Sequence, residues 1–172
     1  QGTISGNLVN EGTIRGKIAV NGALTNKNKI LAESGELRLS LNSFDNSAGI
    51  VEIASDGSLY YYNSNKTDSF GDLAIEEGGS IASGSSFKDL NMVGDGNFIV
   101  PNSGTVTIAG TINSPGGITY AEGTGNKYLR YDGQTVLQGG GELVMTDQRS
   151  YLTYESGALE NDQLTIADDF TI

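Results

Sequence analysis

The side chains able to do chemistry in this 172-residue chain are Tyr, Asp, Glu, Lys and Arg, because it contains no His, Cys or Trp. There is no imidazole base, no thiolate nucleophile and no Ser-His-Asp triad, and zinc would lack its preferred nitrogen and sulfur ligands. No disulfide can form, so stability rests on packing alone. Tyrosine is the commonest aromatic, with eight copies. In a strand, alternate side chains face opposite sides. If Leu59 faces inward, Tyr60 and Tyr62 face outward and Tyr61 is inside. Leu129 inward places Tyr128 and Arg130 outside with Tyr131 buried, and Leu152 inward leaves Tyr151 outside. An exposed Tyr on a flat β face can stack its ring on a sugar while its hydroxyl hydrogen-bonds. Tyr60, Tyr62, Tyr128, Arg130 and Tyr151 are therefore the candidate glycan-binding residues. The plain alternative is that Tyr suits strand surfaces and pairs with its neighbours there.

Carboxylates offer two further chemistries. Asp56, Asp95, Asp132, Asp147, Asp168 and Asp169 mostly neighbour Gly or lie in turns, where Asp hydrogen-bonds its own backbone. Neither an EF-hand word nor a Gly-Gly-x-Gly-x-Asp nonapeptide occurs, which leaves Asp95-Gly96-Asn97 and Asp168-Asp169 as the calcium candidates. A polysaccharide lyase would need a basic residue and a means of neutralising a uronate, and a glycosidase would need paired carboxylates. Lys127, Tyr128, Arg130 and Asp132 form the most suggestive outward group. Ten basic residues against 21 acidic ones, a formal −11, make a poor cradle for an anionic substrate. No catalytic residue, metal ligand or cofactor is assigned, and the chain is read as non-enzymatic. The same charge repels nucleic acid and anionic membrane surfaces. No apolar run approaches the ~20 residues needed to cross a bilayer.

The elements that position these residues are strands. No stretch shows helical apolar periodicity, whereas Leu37, Leu39 and Leu41 alternate with Glu36, Arg38 and Ser40. Gly followed two residues later by an aliphatic or Phe recurs along the chain, as in Gly2-Thr3-Ile4, Gly57-Ser58-Leu59 and Gly141-Glu142-Leu143. A longer word, Leu8-Val9-Asn10-Glu11-Gly12-Thr13-Ile14, returns as Leu24-Thr25-Asn26-Lys27-Asn28-Lys29-Ile30 and as Phe44-Asp45-Asn46-Ser47-Ala48-Gly49-Ile50. A fourth copy runs from Leu159 to Ile166 with Asn161 in the third place and one extra residue. The spacing predicts an all-β solenoid of one domain, residues 1–172. At roughly 20 residues per coil it would make about eight coils, with columns of Ile, Leu and Val inside. A β-sandwich also alternates, but has no need of a recurring Gly-x-Ile.

The segments Asn7 to Ile14, Val20 to Asn26, Gly139 to Asp147 and Leu159 to Ile166 resemble the repeats of filamentous-haemagglutinin-type exoproteins and other large repetitive bacterial surface adhesins. The resemblance covers residues 2–59 and 96–172. Residues 60–95, with Tyr60-Tyr61-Tyr62 and a Ser-rich run, depart from it, and a loop or irregular coil is expected there. It implies a right-handed parallel β-helix, secretion to the bacterial cell surface, and a role in attachment or biofilm. The chain, which starts at Gln1, reads as a piece of a larger secreted protein. Its expected partners are a host or environmental surface, glycans or other adhesin copies, and as a fragment it is expected to be a monomer. The alternatives are a polysaccharide-active β-helix, lyase or glycosidase, and a trimeric viral tail-fibre segment.

Overall fold

The computed structural model describes residues 2–155 and 162–172. In chain order the strands are β1 (Gly2–Asn10), β2 (Thr13–Arg15), β3 (Ile18–Asn26), β4 (Lys29–Ala32), β5 (Gly35–Asp45) and β6 (Ile50–Ile53). There follow β7 (Gly57–Asn63), β8 (Gly71–Ile75), β9 (Ser80–Ile81), β10 (Ser85–Met92), β11 (Phe98–Val100) and β12 (Gly104–Asn113). The chain ends with β13 (Ile118–Tyr120), β14 (Lys127–Gln138), β15 (Leu143–Val144), β16 (Ser150–Tyr154) and β17 (Gln163–Ile166). Among the described residues there is no helix.

Every strand pairing is parallel and joins strands from successive coils. One sheet runs β1-β3-β5-β7-β9 and another β11-β13-β15. The largest runs β2-β4-β6-β8-β10-β12-β14-β16, with β17 also on β14. This is a parallel β-solenoid. The coil lengthens along the axis: Gly2 pairs with Ile18, Gly35 with Gly57, and Gly104 with Lys127. About six turns of about 22 residues are stacked, rather than the expected eight of roughly 20. The eight-strand path through the largest sheet also counts the layer at each pole, which has a neighbour on one side only.

Gly opens several strands because the corner leaves no room for a side chain. A Cβ on Gly57 would overlap the Ala32 carbonyl oxygen of the coil beneath. Two residues on, the aliphatic turns inward, and Leu37, Leu59 and Ile81 form one such buried column. Residues 60–95 keep this coil pattern except for a loop over 64–70. The core carries an aromatic run along the axis: Phe44, Tyr61, Phe70, Phe87 and Phe98, each ring centroid 4.7–5.6 Å from the next. Such pairs add about 1 kcal/mol each beyond their area burial. Burial also pushes the Tyr61 hydroxyl well above the usual phenol range.

The repeated word has a physical meaning. Its Leu8, Leu24 and Phe44 share one column, and its third residues form a ladder. Asn10 donates from Nδ2 to Asn26 Oδ1 at 2.6 Å, and Asn26 donates to Asn46 Oδ1 at 2.6 Å. Asn46 ends the ladder by donating to the Phe70 carbonyl at 3.0 Å. All three amides are buried, so each rung depends on the next. The fourth copy of the word begins outside the described residues. Replacing Asn26 by Leu strands the Asn10 donor and the Asn46 acceptor, and should cost about 3 kcal/mol in urea unfolding. Asn10→Leu, at the ladder's end, should cost about 1 kcal/mol; equal costs would contradict the ladder.

Candidate functional site

The outward side of β14 and β16 collects most of the candidate residues. Parallel register sets Thr105, Tyr128 and Tyr151 in one row, and Thr107, Arg130 and Thr153 in the next. Coil spacing brings the Tyr128 and Tyr151 rings into a face-to-face stack, 4.9 Å between centroids and 16° apart. The Arg130 guanidinium lies 5.8 Å from the Tyr128 centroid and 3.6 Å from the Glu155 carboxylate. Glu155 also accepts from Thr107 Oγ1 at 3.2 Å. From inside, wholly buried Tyr120 donates its hydroxyl to the Tyr151 carbonyl at 2.9 Å, which fixes the strand that carries the outer ring.

The 64–70 loop reaches this patch from three coils away. Lys66 Nζ meets Asp132 Oδ2 at 3.1 Å, and the Asp132 carboxylate, with Glu155 and Tyr62 further off, holds the Lys66 ammonium above its usual range. The loop is fastened at its root, where Asp68 accepts from the Phe44 amide at 2.8 Å and from Asn63 at 3.1 Å. Beneath it lies a cleft of about 40 Å³, room for a water or two but no sugar ring. Asp89 completes the frame. It turns the corner of β10 in left-handed geometry, φ 48°, and accepts from Lys88, Ser69 and the Thr111 amide. Burial pushes its carboxyl up, but those donors outweigh it and hold the group below the usual range.

The structure divides the five candidates. Tyr128, Arg130 and Tyr151 form one patch, and Tyr151 is 40% exposed. Tyr62, also exposed, stands on its Lys66 rim. Tyr60 lies apart in the β5–β7 sheet, where its register neighbour Arg38 stacks over the ring at 3.7 Å and occupies one face. Tyr131, expected inside, is half-buried against the core.

Lys127 is a correction. The sequence analysis groups it with the outward residues, yet its side chain is fully buried, 2.8 Å from Asp147 Oδ2 and 2.9 Å from the Gly123 carbonyl. The reason is parity: Lys127 is two residues from inward Leu129 and must share its side. Residues that sequence reasoning missed are Lys66, Glu155 and Thr107. Lys66 and Asp132 are 66 positions apart, and no periodicity links a loop to a strand that distant.

A larger groove of about 520 Å³ lies beside the 76–79 and 95–97 corners, lined by Glu76, Glu77, Asp95 and Asn97. Three carboxylates around it oppose an anionic ligand. The calcium candidate Asp95-Gly96-Asn97 sits here, but among the described residues no three acidic groups converge as an ion-holding cluster. No helix among them is long and apolar enough to cross a membrane. Comparison of the chain with family models, with curated proteins and with solved structures finds no match.

Lys127 gives the site region a pH dependence. Its hydrogen bond, with one from the Arg149 amide, holds the Asp147 carboxyl below the usual range. A depressed carboxyl stabilises the fold above its unfolded value of about 3.9 and loses that contribution as pH falls through the folded one. Asp147→Asn should lower the urea midpoint at pH 7 and remove part of the drop that the wild type shows between pH 5 and pH 3. An unchanged drop in the variant would refute the assignment.

Proposed function

We propose that this chain is a non-catalytic structural and adhesive segment of a larger, secreted or surface-displayed bacterial protein, and that it touches glycans weakly through outward tyrosines. The observation that carries the reading is the row in which Tyr128 stacks on Tyr151 beside Arg130, all pointing out of a rigid sheet. An aromatic pair held by register presents a flat apolar strip. The ring edges, hydroxyls and guanidinium around it supply the polar contacts a sugar needs. The rod itself supports the structural half, because every coil hydrogen-bonds to the next and stiffness follows from that ladder. Net acidity keeps such a surface soluble.

Two observations weigh against the polysaccharide-active alternative. Lys127, one of the two basic residues it named, is buried and engaged with Asp147. The carboxylates near Arg130, Asp132 and Glu155, are each paired with a cation. The resemblance to surface adhesin repeats, together with the solenoid fold, favours attachment at a host or environmental surface.

A glycan array tests the adhesive half. Wild type should retain a subset of neutral or amino sugars with weak affinity, and Tyr128→Ala/Tyr151→Ala should lose that signal by at least tenfold. Tyr60→Ala, whose ring is already covered by Arg38, should change it little. Binding that survives the double substitution would refute the assignment of this patch, and binding to no glycan would leave the chain a spacer only.

A further inference from the structure

We infer that Tyr128 and Tyr151 form a site of oxidative cross-linking, where a peroxide-driven oxidant joins the two phenols into a dityrosine that staples β14 to β16. Both rings stand on the outer side of the sheet, Tyr151 exposed and Tyr128 partly so. They are register partners on neighbouring parallel strands, with centroids 4.9 Å apart and planes 16° from parallel. Parallel in-register stacking lays like atoms over like atoms. The ring carbon beside one hydroxyl therefore faces the carbon beside the other, and these are the atoms a dityrosine joins. Closing the bond asks only for rotation of partly exposed side chains about their own torsions, a fast motion.

The surroundings hold the pair while leaving its hydroxyls free to react. Leu129 over Leu152 fixes the strands from inside, and the Tyr120 hydroxyl donates to the Tyr151 carbonyl at 2.9 Å. Asn126 Nδ2 donates to the Tyr128 hydroxyl oxygen at 3.2 Å. Among the described residues neither hydroxyl gives its own proton to a protein acceptor, so water takes it.

The other tyrosines are differently placed. Tyr61 and Tyr120 are buried, 2% and 1% exposed, and Arg38 covers a face of Tyr60. Tyr62 is exposed but has Ser40 as its register partner. Tyr131 and Tyr154 are register partners too, but Tyr131 packs against the core while Tyr154 is exposed. Among the described residues no other two tyrosine rings stack.

The reaction balances with hydrogen peroxide as oxidant, used by a haem peroxidase. Each phenol loses one electron and its hydroxyl proton to become a phenoxyl radical. The two radicals form one carbon–carbon bond, and the ring hydrogens displaced there return to the oxygens, restoring both phenols. Two tyrosines and one peroxide thus give one dityrosine and two waters. In free solution one radical must find another by collision, whereas here the partner is already in contact. The chain has no Cys, so a disulfide cannot staple its coils. A link across the 23 positions from Tyr128 to Tyr151 would confine the unfolded chain in the same way.

The test is to treat the dilute whole chain with peroxide and a haem peroxidase, then record intact mass and dityrosine fluorescence. The monomer should lose two hydrogens, and trypsin should release the 128–130 peptide joined to the 150–172 peptide. Tyr128→Phe and Tyr151→Phe, which keep both rings, should each cut this monomer cross-link at least tenfold. Tyr62→Phe and Tyr154→Phe should leave it unchanged, and unfolding in urea before oxidation should reduce it at least tenfold. Oxidation that yields only cross-linked dimers, or a monomer lacking the 128–130 to 150–172 link, would overturn the inference. So would a yield indifferent to Tyr151→Phe. The cross-link needs no sugar, so its failure and a failure of glycan binding are separate results.

Discussion

The constraint on which everything else depends is that each coil must lie directly over the one before, residue on like residue. Parallel pairing with a gain of about 22 positions per layer makes this the rule rather than an accident. Once it holds, an apolar side chain at one inward position requires an apolar side chain above it, and a buried amide requires another amide. The Asn10–Asn26–Asn46 ladder shows how narrow the tolerance is. An amide buried alone would cost several kcal/mol, whereas three in register satisfy one another and the last finds the Phe70 carbonyl. The aromatic run continues the same logic with rings in place of amides, from Phe44 to Phe98.

That constraint also builds the outer surface. Tyr128 lies over Tyr151 because Leu129 lies over Leu152 on the inner side of the same strands. The outer patch thus inherits its geometry from the core and needs no specialised scaffold. Local departures are where the rod acquires individuality. A loop at 64–70 leaves the stack and crosses three layers to bring Lys66 to Asp132, and Asp89 bends β10 through a left-handed corner that Gly110 repeats one coil on. Buried Lys127 is another departure, a charge inside the column that ends on Ser150, reaching out to the carboxylate of exposed Asp147.

Much of this was legible in the residues. Period two correctly divided Tyr60, Tyr61 and Tyr62, and the recurring Leu-x-Asn word marked positions that do share columns. The same rule, applied to Lys127, would have put it inside with Leu129; long charged side chains are read as exposed by habit, and here an ion pair overrode that habit. Coil length is underestimated because the first copies of the word, 16 and 20 residues apart, come from the shortest coils; Gly35 to Gly57 and Gly104 to Lys127 span 22 and 23. Tyr60's neighbour Arg38 lies 22 positions away, and Lys66's partner 66, so the loss of one ring face and the capture of Asp132 depend on coil length and loop path. Neither is encoded in a local pattern.

The most direct measurement is a set of nuclear Overhauser contacts between backbone protons of Leu37, Leu59 and Ile81. A stacked solenoid predicts strong contacts from Leu37 to Leu59 and from Leu59 to Ile81, 22 positions apart in each case. Contacts confined to antiparallel neighbours on either side of a short turn would mean facing sheets instead of stacked coils, and the account of both core and surface would fall with the register.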